Sequence, residues 1–190
     1  MRTIAAAFLV AAHMLSSPAK GITLVRDGKP EAVIVLGEKA TRSAQMGAFE
    51  LQHHVRLITG TELPITRGAP PAGKTSIRIG GNNAGLHHET SRVAITDSGI
   101  LLTGNDTPDS RTVDYGNPVT FPQTDSEFKG SLFAVYDFLE KECGVRFYAP
   151  GRFGTTYRER KTLVVKPVDR QYSPPLDAFR EVYDDDRTYA

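Results

Sequence analysis

The chain has 190 residues, of which 39% are hydrophobic and 24% are charged, and its formal net charge is +1. These values are typical of one globular domain with its own hydrophobic core. A nearly neutral chain lacks the basic surface that attracts nucleic acid, so we expect no nucleic-acid partner.

Residues 1–19 have the pattern of a secretory signal peptide. Arg2 supplies the positive start, "IAAAFLVAAHML" is a short apolar segment, and "SPA" places small residues up to Ala19. The apolar segment is too short to cross a bilayer. We therefore predict a secreted or periplasmic protein that is cleaved near Ala19 and has no membrane span.

The first predicted elements are a pair of strands and a helix. "ITLVRDGKPEAVIVLG" predicts two strands joined by a turn at Asp27-Gly28. Thr41 can cap the start of a helix, and Gly60 can end it after Thr59 in a left-handed conformation. The apolar stripe of this helix recurs at spacings of three and four residues and consists of Ala44, Ala48, Leu51, Val55 and Ile58.

The rest of the chain alternates strands with a second helix. "TSIRIGG" at 75–81 predicts a strand, and "SRVAITDSGILLTG" predicts a hairpin. Residues 105–128 are polar and without periodicity, which is typical of a functional or disordered loop. A second helix is predicted from Lys129 to Cys143, and "VRFYAPG" and "TLVVKP" predict closing strands.

This order of elements predicts the fold class. The hairpin is incompatible with a purely parallel, doubly wound sheet. We predict an α+β fold with two helices packed on one face of a mainly antiparallel sheet.

Two histidine pairs are the first candidates for chemistry. His53 and His54 lie in the predicted helix, where neighbours point about 100° apart and cannot share one metal ion. Helical metal sites space their ligands by three or four residues. His87 and His88 lie in a predicted turn. A small metal-dependent hydrolase that uses both pairs is one hypothesis, but the spacing disfavours it, and we expect ordinary helix residues and no cofactor.

Cys143 is the only cysteine, so the chain has no internal disulfide. It lies at the end of the apolar stripe of the second helix. We predict a buried small hydrophobe rather than a nucleophile.

Three apolar residues of the first helix lie off its main stripe: Met46, Phe49 and Leu57. Scattered surface hydrophobes are common in globular proteins. A group of them on one side of a helix also suits a contact face for another domain or subunit, and we predict these three residues as a docking surface.

Aromatic residues supply the candidate ligand contacts. Tyr115 and Phe121 lie in the long loop, and Tyr148 and Tyr157 follow the second helix. Tyrosine combines an apolar ring with a polar hydroxyl, so these four residues are candidates for carbohydrate binding. The sequence contains no persuasive catalytic set, because the carboxylates of the second helix suit a solvated helix face.

The two helical segments carry a resemblance to a known family. "GAFELQHHVRLITGTELPI", followed by "IRIGG", and "GSLFAVYDFLEKECGVRFYAPGRFGT" resemble the N-terminal non-catalytic domain of bacterial α-glucuronidases and the comparable domain of β-hexosaminidases. They also resemble a group of secreted proteins that place this domain before a glycosidase-like barrel. The resemblance implies an α+β layer with catalytic carboxylates in the barrel, so it assigns no catalytic residue to this chain.

The resemblance also implies a division of the chain and a function. Residues 1–19 would be the signal peptide, 20–168 the accessory domain, and 169–190 a linker and the start of a barrel domain that this chain does not contain. We expect a non-catalytic accessory domain of an exported glycoside-hydrolase-like protein, with the barrel as its partner in cis and a role in polysaccharide breakdown. The alternative is a free-standing carbohydrate-binding or protein-interaction module.

The signal peptide gives the first testable prediction. Expression in a bacterial host should yield an exported protein whose first residue is Lys20, because Ser17 and Ala19 supply the small side chains that signal peptidase requires. N-terminal sequencing or intact mass measures this directly. Ala19→Arg should leave the precursor uncleaved, and an unprocessed wild-type chain would contradict the prediction.

Overall fold

A computed structural model describes residues 21–81, 85–123, 127–149, 151 and 153–175. The predicted signal peptide lies outside these residues. The described helices are α1 (Arg42–Thr59), α2 (Gly130–Lys141) and a 3₁₀ turn (Pro118–Thr120). The described strands are β1 (Ile22–Arg26), β2 (Lys29–Pro30), β3 (Ala32–Leu36), β4 (Ile65–Arg67), β5 (Thr75–Ile79), β6 (Ser91–Thr96), β7 (Gly99–Gly104), β8 (Arg146–Phe147), β9 (Thr155–Thr156), β10 (Leu163–Val165) and β11 (Val168–Tyr172).

The main sheet has six strands in the order β11-β6-β7-β5-β3-β4. The helix α1 packs on β3 and β5, α2 packs on β6 and β7, and the two helices pack against each other. Both helices therefore cover one face of the sheet, and the predicted α+β fold is confirmed. Strands β7, β5, β3 and β4 pair in parallel, whereas the other described ladders are antiparallel and outnumber them.

The first strand pair differs in detail from the prediction. Strand β1 forms its hairpin with the two-residue β2, through a turn in which Asp27 and Gly28 both have positive φ angles, of 49° and 76°. The apolar "VIVL" segment lies in β3 instead, in the main sheet. Every residue of β3 is buried, and a strand that is apolar on both faces favours a place inside a sheet, here between β4 and β5.

The predicted limits of α1 are confirmed by its capping bonds. The Thr41 hydroxyl accepts the backbone N–H of Ala44 at 3.1 Å. Gly60 has a φ of 76°, and its N–H donates to the carbonyl of Arg56 at 2.8 Å. The apolar stripe of α1 is buried in the main core, to which the three-stranded sheet β10-β1-β2 also contributes Leu24, Val25, Leu163 and Val165.

Glycines set how closely α2 approaches its neighbours. A Cβ atom on Gly104, at the end of β7, would lie 2.1 Å from the carbonyl carbon of Gly130, at the start of α2. The N–H of Gly130 also donates to the carbonyl of Asn105 at 3.0 Å. A Cβ on Gly47 of α1 would lie 3.0 Å from the Val135 side chain. The backbones of β7 and α2 are thus in direct contact, and α1 packs closely on α2.

The C-terminal edge of the folded unit lies further along the chain than expected. Strand β11 pairs with β6 from Val168, opposite Ile95, to Tyr172, opposite Ser91. A linker was predicted to begin at residue 169. The structure instead places residues up to Tyr172 in the main sheet. The linker prediction failed there because β11 is an edge strand that is mostly polar and exposed, without the apolar pattern of a buried strand.

The described part of the long loop, residues 105–123, is held against α1. The Arg42 guanidinium, whose side chain is only 5% exposed, forms ion pairs with Asp109 at 3.0 Å and with Glu127. It also donates to the carbonyls of Thr120 and Phe121, at 3.3 and 3.1 Å. This one cation therefore binds the loop at several points.

The Gln45 side chain adds a second anchor for the loop. Its amide nitrogen donates to the carbonyl of Arg111 at 3.0 Å, and its amide oxygen accepts the N–H of Val113 at 3.2 Å. Gln45 is itself buried, and its bond with Val113 forms away from water. Of the two predicted alternatives for this segment, functional or disordered, the described residues contradict disorder.

Replacing Arg42 should destabilise the fold strongly. Arg42→Met leaves Glu127 and two loop carbonyls without their cation, and it leaves Asp109 paired with Arg111 alone. We expect a loss of about 3 kcal/mol in the free energy of unfolding. Urea denaturation followed by circular dichroism measures it. The control is Arg92→Met, because the Arg92–Asp169 pair is exposed and an exposed ion pair contributes little to the free energy of unfolding. Equal losses for the two variants would contradict the anchoring role of Arg42.

Candidate functional site: an aromatic groove beside α1

A groove with a volume of about 1370 Å³ lies between the two helices and the β8–β9 hairpin. We call it the aromatic groove, after the largest class of its lining side chains. The aromatic lining residues are Tyr115, Tyr136, Phe147, Tyr148, Phe153 and Tyr157. Its titratable lining residues are Glu50, His53, His54, Glu140 and Glu159. An apolar concave surface with a few convergent polar groups is the default hypothesis for a ligand site.

Glu50 is the polar centre of the α1 side of the groove. Its carboxylate accepts the Tyr115 hydroxyl at 2.8 Å. Burial, followed by the neighbouring Glu50, raises the pKa of both Tyr115 and Tyr136. Both phenols therefore stay protonated and act as donors, and the Glu50 carboxylate is already occupied by the protein's own groups.

The two histidines differ in their surroundings. His54 is buried, its Nδ1 lies 2.8 Å from the Glu50 carbonyl oxygen, and its ring meets Phe147 edge-on at 5.2 Å. His53 is half-buried and lies with its ring centre 5.1 Å from that of His54. Burial, and then the neighbouring His54, lower the pKa of His53. A neutral His53 imidazole therefore faces the groove, ready to donate or accept a hydrogen bond.

The described residues do not support a metal centre. Within them, no group of three or more His, Cys, Asp or Glu side chains is arranged to hold a metal ion. His87 and His88 lie in the turn before β6, and neither belongs to the described lining of the groove. The two histidine pairs are thus not brought together there.

Three of the four predicted ligand contacts line the groove: Tyr115, Tyr148 and Tyr157. The fourth, Phe121, instead stacks on Tyr115, with ring centres 6.2 Å apart. Phe121 also packs against the small cluster that contains Met46. It therefore supports a lining residue from behind rather than facing a ligand.

The predicted docking surface is largely covered by the chain itself. Met46 is only 8% exposed and packs against Val113 of the long loop. Phe49 packs on the ring of Tyr115, with centres 5.5 Å apart. The loop folds back over α1 and buries what the helix alone would expose. Leu57 is the one member that lines the aromatic groove.

Sequence reasoning missed half of the aromatic lining. Phe147 lies in β8, Phe153 lies in the loop between β8 and β9, and Phe153 is 91% exposed. Tyr136 of α2 is half-buried, packs against the main core and also lines the groove. The available signal was the density of aromatic residues between 147 and 157, which exceeds what a short solvated hairpin requires.

The sequence comparisons identify no relative for the chain. No protein-family model matches it, and no curated protein is significantly similar to it. The function must therefore be inferred from the chemistry of the groove. Within the described residues, neither helix is long and apolar enough to cross a membrane.

Cys143 lies in the main core and is 1% exposed. Burial raises the pKa of its thiol to about 12, because a low-dielectric surrounding disfavours the thiolate. The thiolate is the reactive form of cysteine. The structure thus places Cys143 as a packing residue.

The Cys143 thiol should therefore be unreactive in the native protein. At pH 8 the thiolate fraction is only about one in ten thousand for a pKa near 12, and the sulfur is shielded from reagents. An Ellman assay should show no reaction for the native chain and one thiol per chain in concentrated urea. Fast labelling without denaturant would contradict this burial.

Proposed function

We propose that this chain is an exported, non-catalytic accessory domain of a glycoside-hydrolase-like protein, and that it contributes to polysaccharide breakdown by binding carbohydrate in the aromatic groove. The observation that carries the proposal is the convergence of six aromatic side chains with carboxylate and imidazole groups in one groove. The resemblance of both helical segments to accessory domains of glycosidases supports the same proposal.

The chemistry of the groove suits a sugar ring. A pyranose presents apolar C–H faces and a rim of hydroxyls, so it packs on aromatic rings and exchanges hydrogen bonds with polar groups beside them. Tyr148 is 75% exposed, and Tyr157 lies near it in the lining. Rings that are amphipathic and rigid provide such contact area at little entropic cost.

The state of Glu50 argues against a catalytic role for this carboxyl group. A general acid or nucleophile must reach the glycosidic bond with a free carboxyl group. The Glu50 side chain is buried and already accepts the Tyr115 hydroxyl. Its contribution to a ligand would be to orient the phenol of Tyr115 rather than to take part in bond cleavage.

The exposed hairpin favours a second candidate function, the docking of a protein partner such as the barrel in cis. Phe153 and Tyr148 are large and exposed, and Leu57 lies beside them in the lining. Aromatic residues of this kind are enriched at protein interfaces. In this case the aromatic groove would be covered by the partner and closed to sugars.

Saccharide binding distinguishes the two candidates. We expect the processed chain to bind oligosaccharides on a glycan array, and Tyr148→Ala to weaken binding by about 1–2 kcal/mol, or roughly five- to thirtyfold. Isothermal titration calorimetry measures the loss. Phe128→Ala removes a ring that is also exposed but lies outside the groove lining, and it should leave the affinity unchanged. A blank array would contradict carbohydrate binding and favour the docking function.

A further inference from the structure

We infer that the aromatic groove selects oligosaccharides that carry free amino groups and discriminates against those built from uronic acids. The inference rests on the proposed carbohydrate binding and names the class of sugar at that same site. It follows from the charges and the shape of the groove.

The charged side chains in the described lining of the groove are acidic. Three glutamates line it, Glu50, Glu140 and Glu159, and no lysine or arginine belongs to its described lining. Glu159 is exposed and Glu140 is half-buried, so both carboxylates are accessible to a ligand. A sugar carboxylate placed among them would meet like charge, whereas an ammonium group would meet opposite charge.

Two arginines near the groove are held by other groups, and Arg158, which is exposed between Tyr157 and Glu159, does not belong to the described lining. Arg56 pairs with Glu62 at 3.8 Å. The Arg146 guanidinium donates to the backbone carbonyls of Glu140 and Val145, at 2.7 and 2.9 Å. The lowered pKa of His53 keeps its imidazole neutral near pH 7. The described lining therefore offers no cation to a uronate.

A second hollow extends the same surface. It has a volume of about 410 Å³ and shares Tyr136 and Glu140 with the aromatic groove. It also contains Glu89, which pairs with Lys129 at 3.7 Å, and Asp137, which pairs with Arg170 at 2.7 Å. Its one lysine, Lys141, already pairs with Asp137 at 2.6 Å. The two hollows adjoin at Tyr136 and Glu140, which suits a chain of several sugars rather than a single residue.

Aromatic rings and carboxylates together give an ammonium group two kinds of contact. The face of a tyrosine attracts a cation within about 6 Å of the ring centre. A carboxylate accepts a charge-assisted hydrogen bond, which is shorter and stronger than a neutral one. Tyr136 and Glu140 supply both at the junction of the two hollows. A neutral sugar would retain the ring packing and lose the charged contact.

The test uses four tetrasaccharides that differ in charge. They are the β-1,4-linked glucosamine tetramer, its N-acetylated form, cellotetraose and tetragalacturonate. Calorimetry at low salt should show the glucosamine tetramer binding at least fivefold more tightly than its acetylated form, and tetragalacturonate binding most weakly. Raising the salt concentration to 0.5 M should reduce these differences, because exposed charges are screened.

Variants assign the preference to the groove. Glu140→Gln and Glu159→Gln keep the side-chain shape, and each should weaken binding of the glucosamine tetramer about two- to fivefold more than it weakens binding of cellotetraose. Glu31→Gln is the matched control, because Glu31 lies outside both hollows and its removal should change neither affinity.

The outcomes distinguish a failure of the proposed amine preference from a failure of the proposed carbohydrate binding. Equal binding of all four tetrasaccharides, or tightest binding of tetragalacturonate, would overturn the amine preference and leave carbohydrate binding intact. No binding of any of them would overturn both. Tetralysine bound as tightly as the glucosamine tetramer would overturn the inference in favour of a cationic peptide.

Discussion

A buried arginine at the start of α1 is the interaction on which the surface of this domain depends. The first turn of a helix is already positive because its N–H groups are unpaired, so a cation there is unfavourable unless carboxylates compensate it. Arg42 obtains that compensation from Asp109 and Glu127, which belong to the long loop. Compensating the cation thus folds the loop onto α1. The same loop covers Met46 and places Tyr115 beside Glu50.

Local signals in the sequence predicted the local parts of this fold. The caps and stripe of α1 depend on residues a few positions apart, and these predictions hold. Strand neighbours depend on long-range pairing, and so the partner of β1 and the place of β11 were not foreseen. The candidate site depends most on long-range packing and was therefore the hardest feature to predict from the sequence. Its lining comes from α1, the loop, α2 and the β8–β9 hairpin, and only their packing shows that Tyr115, Tyr148 and Tyr157 converge while Phe121 does not.

The groove and the family resemblance carry different kinds of information. The predicted resemblance concerns helices, strands and their order, and it stays a prediction. A ligand preference depends on side chains at the surface, which vary more freely than the core. A domain that resembles those of α-glucuronidases can therefore have a groove whose charges disfavour a uronate. Architecture and specificity are separate properties of this chain.

The contact between Gly104 and Gly130 has a mechanical consequence for the groove. Because the two backbones touch, α2 cannot tilt or slide relative to β7 without breaking that contact, and the close packing at Gly47 extends the constraint to α1. The helical side of the groove is therefore stiff. The β8–β9 hairpin on the other side has only two residues in each strand, and a Cβ atom on its Gly154 would lie 2.0 Å from the carbonyl oxygen of Ala149. Backbone contacts thus hold both sides of the groove in place.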